Sequence, residues 1–435
     1  MAGEQSPAKE DVQKNVEEPS REFDSRKEID FDAVEEKLDA IKTVSGMGLI
    51  GKVTGFLGRQ NPFHKPADPE KHQVILFDNI AYRPVHPYPH QPQPWQAEFV
   101  AAYFYNGRKD VGGLVSGIAD TIGLDGEVGS NEEARARIEK RIQIFIDQIA
   151  PAKTVQINIP QPDGGSVTRQ LGPSNNNGIS SQTELVGDRS GGTSIDFTAP
   201  TFGATGHTYY AGPEGWAILS DIDDTIKVTQ TTNPAGILRT TFADEPQPIA
   251  GMSELYKIID AQFNNPAWFY LSASPYNLYP FLHKFIHDYY RPGMLILRDF
   301  SWMVLGDLLR SLTKGTESYK TDRIEKLRRW FPRRHFIFIG DSTQSDPESY
   351  AKMYRKYSAV DAGWVQAIFI RKATDIANME QKNSKERFER AFKGVPENVW
   401  QVFEQPEELA DRISRLATDA GMELTPELQR YPGKS

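Results

Sequence analysis

Hydrophobic positions divide the chain into stretches of different period. In residues 29–44, Ile29, Phe31, Val34, Leu38 and Ile41 fall mostly three and four apart, the spacing of a short amphipathic helix. From about residue 74 short apolar runs, VILFDNIAYRPV and AEFVAAYFYNG, read as strands, parted by the proline-rich PVHPYPHQPQPW. Residues 131–149, NEEARARIEKRIQIFIDQI, open on an asparagine N-cap and early carboxylates and stop short of Pro151, which predicts a helix. TVQINIP then alternates as a strand does, and the Gly-, Ser- and Asn-rich stretch at 162–193 is expected to form a mobile loop.

The pattern changes near Gly212. Apolar β runs (WAILSDID, AWFYLSAS, GMLILRDF, RHFIFIGDS, VQAIFIR) now alternate with helical segments (MSELYKIIDAQF, LYPFLHKFIHDYY, KTDRIEKLRRWF, PESYAKMYRKY). Such alternation predicts an α/β domain, a Rossmann-like, doubly wound parallel sheet. The expected order is a disordered tail at 1–27, a helical linker at 28–69, a β-rich domain with one helix at 70–210, the α/β domain at 211–420 and a tail at 421–435. The first 27 residues are Glu, Lys, Ser and Pro rich, with too little apolar surface to offset the entropy of ordering.

Composition narrows the chemistry. The 435 residues include no cysteine, which removes disulfides, thiolate metal sites and cysteine nucleophiles. With 50 basic against 59 acidic side chains the net charge is −9, so the overall field repels nucleic acid. The N-terminal MAGEQSPAKEDVQKN has no apolar signal core, and the apolar stretch at 44–57 is interrupted by Lys52 and glycines. The expectation is a cytoplasmic protein whose contact with membranes is peripheral.

In an open α/β sheet the ligand crevice lies beyond the carboxyl ends of the strands. The first β run of this domain ends in Asp221-Ile222-Asp223-Asp224-Thr225. Residues two apart on extended chain point the same way, so Asp221 and Asp223 present two carboxylates to one small volume. Mutual repulsion would drive one pKa up sharply, and a bound Mg²⁺, an ion that prefers oxygen ligands, relieves it. A similar cluster, Gly340-Asp341-Ser342, follows the apolar run 336–339. Ser272 follows another strand and offers a hydroxyl to a phosphoryl oxygen, Lys320 begins a helix and offers a compact positive charge, and Asp341 and Asp346 add carboxylates for the metal and its surroundings. Singly, each has a plainer reading as a turn, a cap or a solvated helix start. The ordered set is far less easily an accident.

These motifs resemble those of the haloacid dehalogenase superfamily of phosphohydrolases: Asp221-x-Asp223-x-Thr225, Ser272, Lys320, and Gly340-Asp341 with Asp346 stand in its motif order. SDIDDTIKVT, YLSASPYNLYPFL, LRDFSW, SYKTDRI and FIGDSTQSDPESYA look, more narrowly, like the fungal actin patch protein family of Mg²⁺-dependent phosphatidate phosphatases. The resemblance covers residues 212–371 and implies Asp221 as nucleophile, Asp223 as general acid and base, and Mg²⁺ held by Asp221, Asp341 and the Asp223 carbonyl. It further implies Thr225, Ser272 and Lys320 as phosphate contacts, Asp346 as the group orienting Lys320 or bound water, membrane phosphatidate as substrate, and cortical actin patches with SH3 proteins as setting.

Other features stand beside this set. Lys227 and Arg298 lie close enough to the expected crevice to attract phosphate. The segment FSWMVL at 300–305 and the group Arg328, Arg329, Arg333, Arg334 and His335 around Trp330 suit a lipid interface, but also a buried helix core and a solvated basic face. His283 and His287, four apart, lack a third ligand nearby in sequence and are read as surface or core histidines. Residues 84–94 form an SH3 ligand or simply a loop. A phosphatase of another phosphomonoester, and an actin-patch adaptor with secondary catalysis, are the competing functions.

Overall fold

The computed structural model describes residues 28–40, 64–85, 93–107, 110–124, 130–146, 149–299, 306–358 and 363–431. The expected tail at 1–27, the segment 300–305 and most of the proline-rich stretch 84–94 lie outside the described residues.

Among the described residues the strands form two sheets. The first contains β1 (Lys65–Pro66), β2 (His72–Leu76), β3 (Asn79–Tyr82), β4 (Gln96–Tyr105), β5 (Lys153–Pro160), β6 (Ser166–Leu171), β7 (Ile179–Leu185), β8 (Ser194–Ala199) and β9 (Ala204–Tyr210). They run in the order β1-β5-β8-β9-β3-β4-β2, with β6 on β5 and β7 on β4. Period-two burial carries Ile157, Ile159, Phe99 and Phe197 into its core.

Two expectations fail here. The stretch 162–193, expected as a mobile loop, carries β6 and β7, paired antiparallel with β5 from Val155↔Leu171 to Pro160↔Ser166 and with β4 from Gln96↔Leu185 to Ala102↔Ile179. Polar composition misled because these side chains bond across strands: Gln182 donates to the Gln170 carbonyl at 2.7 Å, and the Ser180 and Tyr103 hydroxyls are 3.1 Å apart. Besides the expected helix, seen over Ser130–Ile146, a second spans Gly112–Thr121. Its glycines and missing cap side chain hid it, yet Leu114, Val115, Ile118 and Ala119 bury one face.

The second sheet is all parallel: β10 (Trp216–Asp221), β11 (Ala267–Pro275), β12 (Met294–Arg298), β13 (His335–Asp341), β14 (Val365–Arg371) and β15 (Trp400–Phe403), in the order β12-β11-β10-β13-β14-β15. The five expected β runs all appear; β15, a short WQVF edge strand, was not foreseen. β10 is buried throughout, as a strand covered on both faces must be. Ile218 and Ile222 enter a core with Leu255, Ile259 and Phe285, and Ala217 and Leu219 enter the opposite one with Leu327, Phe331 and Tyr350. Strand order reverses between β10 and β13, and Asp221 and Asp341 end these two adjacent strands at the switch point.

The helix expected over 29–44 is observed over Glu28–Asp39, residues 41–44 lying outside the described part. It buries Phe31 and Leu38 and is tied to the helix Gly306–Thr313, whose Arg310 lies 3.2 Å from Glu35 and 2.6 Å from Asp39.

Candidate functional site

Asp221 is the last residue of β10 and Asp341 the last of its neighbour β13, so the topology alone brings two distant carboxylates side by side. Asp346, first residue of the helix Asp346–Ser358, turns back and accepts the Asp341 N–H at 3.1 Å. This approach needs Gly340, where a Cβ would stand 2.7 Å from Asp346 Cβ. Oxygens of Asp221, Asp341 and Asp346 lie within 4.8 Å of one another, and all three residues are fully buried.

Lys320 enters the same volume from the second turn of the helix Thr316–Trp330, which starts four residues before the expected point. Its ammonium is 2.7 Å from Asp221 Oδ1 and also pairs with Asp346. Burial disfavours the charge of Lys320, but Asp221, Asp346 and Asp341 outweigh it and raise its pKa. Burial, then Asp346, Asp341 and Asp223, push the Asp221 carboxyl well above its ordinary value against the pull of Lys320. Burial also raises Asp341 and Asp346. Three carboxylates against one ammonium leave two negative charges uncompensated in a volume that excludes water. An all-oxygen donor set with that deficit suits a hard divalent cation such as Mg²⁺.

Asp223 stands apart from this cluster. Its Oδ2 accepts from Ser272 Oγ at 2.5 Å and Ser274 Oγ at 3.3 Å, and its Oδ1 accepts from Thr229 Oγ1 at 2.9 Å. Ser272 itself accepts the Ser274 N–H at 2.9 Å, which fixes its hydroxyl beside Asp223. Thr225 Oγ1 lies 3.2 Å from Asp221 Oδ2 and 2.9 Å from Asp341 Oδ2 and ties the two strand ends together. Asp224 makes the turn possible. Its φ is +60°, and its carboxylate accepts the N–H groups of Thr229, Gln230 and Thr231 at 2.7–2.9 Å.

Of the more distant residues, Lys227 is buried and donates to Thr229 Oγ1 at 3.0 Å, so it reaches Asp223 through one hydroxyl; burial lowers its pKa. Arg298 closes β12 but turns to the Lys314 carbonyl at 3.0 Å and the Tyr319 ring at 5.0 Å. The basic group around Trp330 lies at the opposite end of the sheet: His335 opens β13, which at about 3.3 Å per residue puts it about 20 Å from Asp341. Arg334 is buried, donating to the Gly212 carbonyl at 2.7 Å, and burial lowers its pKa to about 10.

Sequence reasoning missed Thr229, Ser274, Arg387 and Thr343, whose N–H donates to Asp341 Oδ1. The hydroxyl-rich TQTT just after the motif was a usable signal for Thr229. Arg387 gave none, since it sits in KERFERA, yet it is fully buried and donates to the Gln344 carbonyl at 2.6 Å, bracing the loop that carries Asp346.

Residues 216–372, which run from β10 past β14 and contain the whole acidic cluster, match the family described as phosphatidate phosphatase APP1, catalytic domain. The chain is similar to the phosphatidate phosphatase APP1 of Saccharomyces cerevisiae, 27% identical over 228 residues, which cover 49% of this chain and 37% of that protein. It is also similar to an uncharacterized protein of Schizosaccharomyces pombe, 28% identical over 144 residues, covering 32% of this chain and 23% of that one. The chain thus spans well under half the length of these curated relatives.

Proposed function

We propose that the chain is a Mg²⁺-dependent phosphatidate phosphatase of haloacid dehalogenase type, which hydrolyses phosphatidate to diacylglycerol and phosphate through an aspartyl-phosphate. The observation that carries this reading is the division of labour between neighbours: Asp221 sits in the buried cluster with Asp341, Asp346 and Lys320, while Asp223 is turned out of it onto hydroxyls.

Asp221 would attack phosphorus in line, its oxygen forming the new P–O bond as the bond to the glycerol oxygen breaks. Lys320 and Thr225 hold the two oxygens of Asp221 and so set its direction of attack. Asp223 gives its proton to the departing alkoxide, then takes one from the water that cleaves the aspartyl-phosphate. Ser272, Thr225 and Lys320 are assigned to the phosphoryl oxygens. Asp221, Asp341 and the Asp223 carbonyl would hold Mg²⁺ with Asp346 alongside, and the ion supplies charge neutralisation and Lewis-acid polarisation.

The substrate assignment rests on the family and the named yeast relative. Among the described residues no helix is long and apolar enough to cross a membrane, compatible with peripheral contact. The sequence resemblance supports a place at cortical actin patches, to be tested by imaging tagged chain against labelled patches. The enzymatic reading is tested with phosphatidate in mixed micelles: activity should need Mg²⁺, vanish in Asp221→Asn and fall about 10²–10⁴-fold in Asp223→Asn. Equal turnover of water-soluble phosphomonoesters would remove the lipid assignment, and activity surviving in Asp221→Asn would remove the mechanism.

A further inference from the structure

His283 and His287 lie four apart on the helix Tyr279–Tyr289 and share a face, with ring centroids 4.3 Å apart. The third ligand missing from the local sequence comes from the other sheet. Asp78, between β2 and β3, is buried, and its Oδ2 lies 2.9 Å from His283 Nε2 and 3.8 Å from His287 Nε2. One ligand atom from each of the three falls within 4.8 Å of the others. We propose that Asp78, His283 and His287 form a Zn²⁺ site that clasps the β-rich sheet to the catalytic one.

The geometry suits that ion. Tetrahedral Zn²⁺ with bonds of about 2.0–2.1 Å holds its ligand atoms about 3.3 Å apart, between the two spacings seen here. The carboxylate is placed by groups other than these histidines: Oδ1 accepts the His207 N–H at 2.8 Å, Oδ2 lies 3.3 Å from Tyr209 Oη, and the Asp78 N–H donates to Tyr279 Oη at 2.7 Å. His207 stands on the open side, Nδ1 3.3 Å from Asp78 Oδ1 and Nε2 3.5 Å from Asp196 Oδ1, a carboxylate that orients its ring. Two imidazoles and one carboxylate select a borderline transition metal, whereas the all-oxygen cluster at Asp221 selects Mg²⁺. No residue is common to both sites.

The test uses full-length chain stripped by a chelator and titrated with Co²⁺, then Zn²⁺, in excess Mg²⁺. One equivalent of Co²⁺ should bind with the visible d–d bands of a low-coordinate nitrogen and oxygen site, and Zn²⁺ should displace it and raise the thermal midpoint. His283→Ala and His287→Ala should each weaken binding at least about tenfold, while Asp341→Asn leaves it unchanged. His287→Gln, with circular dichroism of the metal-free form, guards against a variant that fails to fold. Absence of binding in excess Mg²⁺, binding that survives both histidine changes, or loss in Asp341→Asn would each overturn the site. In the first case the cluster is a hydrogen-bonded proton store only.

Discussion

Lys320 balances a buried cluster that has more negative charge than it can neutralise, and its neighbours should respond to substitution with opposite signs. Lys320→Met leaves Asp221 and Asp346 without their cation and should cost about 3–5 kcal/mol in the metal-free protein, read by denaturant unfolding. Asp341→Asn keeps one acceptor oxygen, for Thr225 or for the Thr343 N–H but not both, and removes a repelling charge. Because burial and Asp346 raise the Asp341 pKa in the folded state, that carboxyl favours folding below the ordinary carboxylate range and loses its contribution as pH rises through the folded value. Asp341→Asn should therefore stabilise the metal-free chain at neutral pH, with the gain shrinking on acidification. A destabilised variant at neutral pH, or a gain independent of pH, would contradict the repulsion. Beside Asp223, Thr229→Val removes one donor and leaves the Lys227 ammonium only the Val228 carbonyl at 3.1 Å as hydrogen-bond acceptor, at an expected cost of about 1–3 kcal/mol with a fall in kcat.

At the scale of elements, the site depends on two turns at the ends of adjacent parallel strands. The turn after β10 is held by Asp224 in the left-handed region, and the turn after β13 depends on Gly340 leaving room for Asp346. Gly340→Ala should displace Asp346 from Lys320 and lower kcat by about 100-fold while KM changes little, a split that steady-state kinetics on phosphatidate resolves. Full activity in that variant would show that Asp346 can move without consequence. The parallel strands themselves were legible, since buried strands read as unbroken apolar runs followed by acidic turns. β6 and β7 were not, because an edge strand with polar, cross-bonded side chains has the composition of a loop.

At the scale of the molecule, the two sheets are not independent beads. Phe77 stacks on Tyr279 at 4.1 Å between ring centroids, Tyr82 stacks on Trp330 at 4.9 Å, and Glu98 pairs with Lys326. Phe77→Ala should cost about 3–5 kcal/mol, and the chain should melt in one transition by calorimetry, because each sheet completes the core of the other. Two separate transitions would show that these contacts do not couple the halves. The same junction carries the Asp78 and histidine cluster, so Zn²⁺ should strengthen the coupling.

Local order of residue types determined the alternation of strand and helix after Gly212, the acidic turns, and the chemistry of Asp221, Asp223, Ser272, Lys320, Asp341 and Asp346, because strand period and side-chain functional groups are properties of short segments. Tertiary structure alone decided which carboxylates share a volume, that Asp346 rather than the Asp223 side chain joins Asp221 and Asp341, and that Asp78 meets His283 across 205 positions. Those outcomes turn on strand order, a close approach at one glycine, and burial, which exist only once distant segments are brought together.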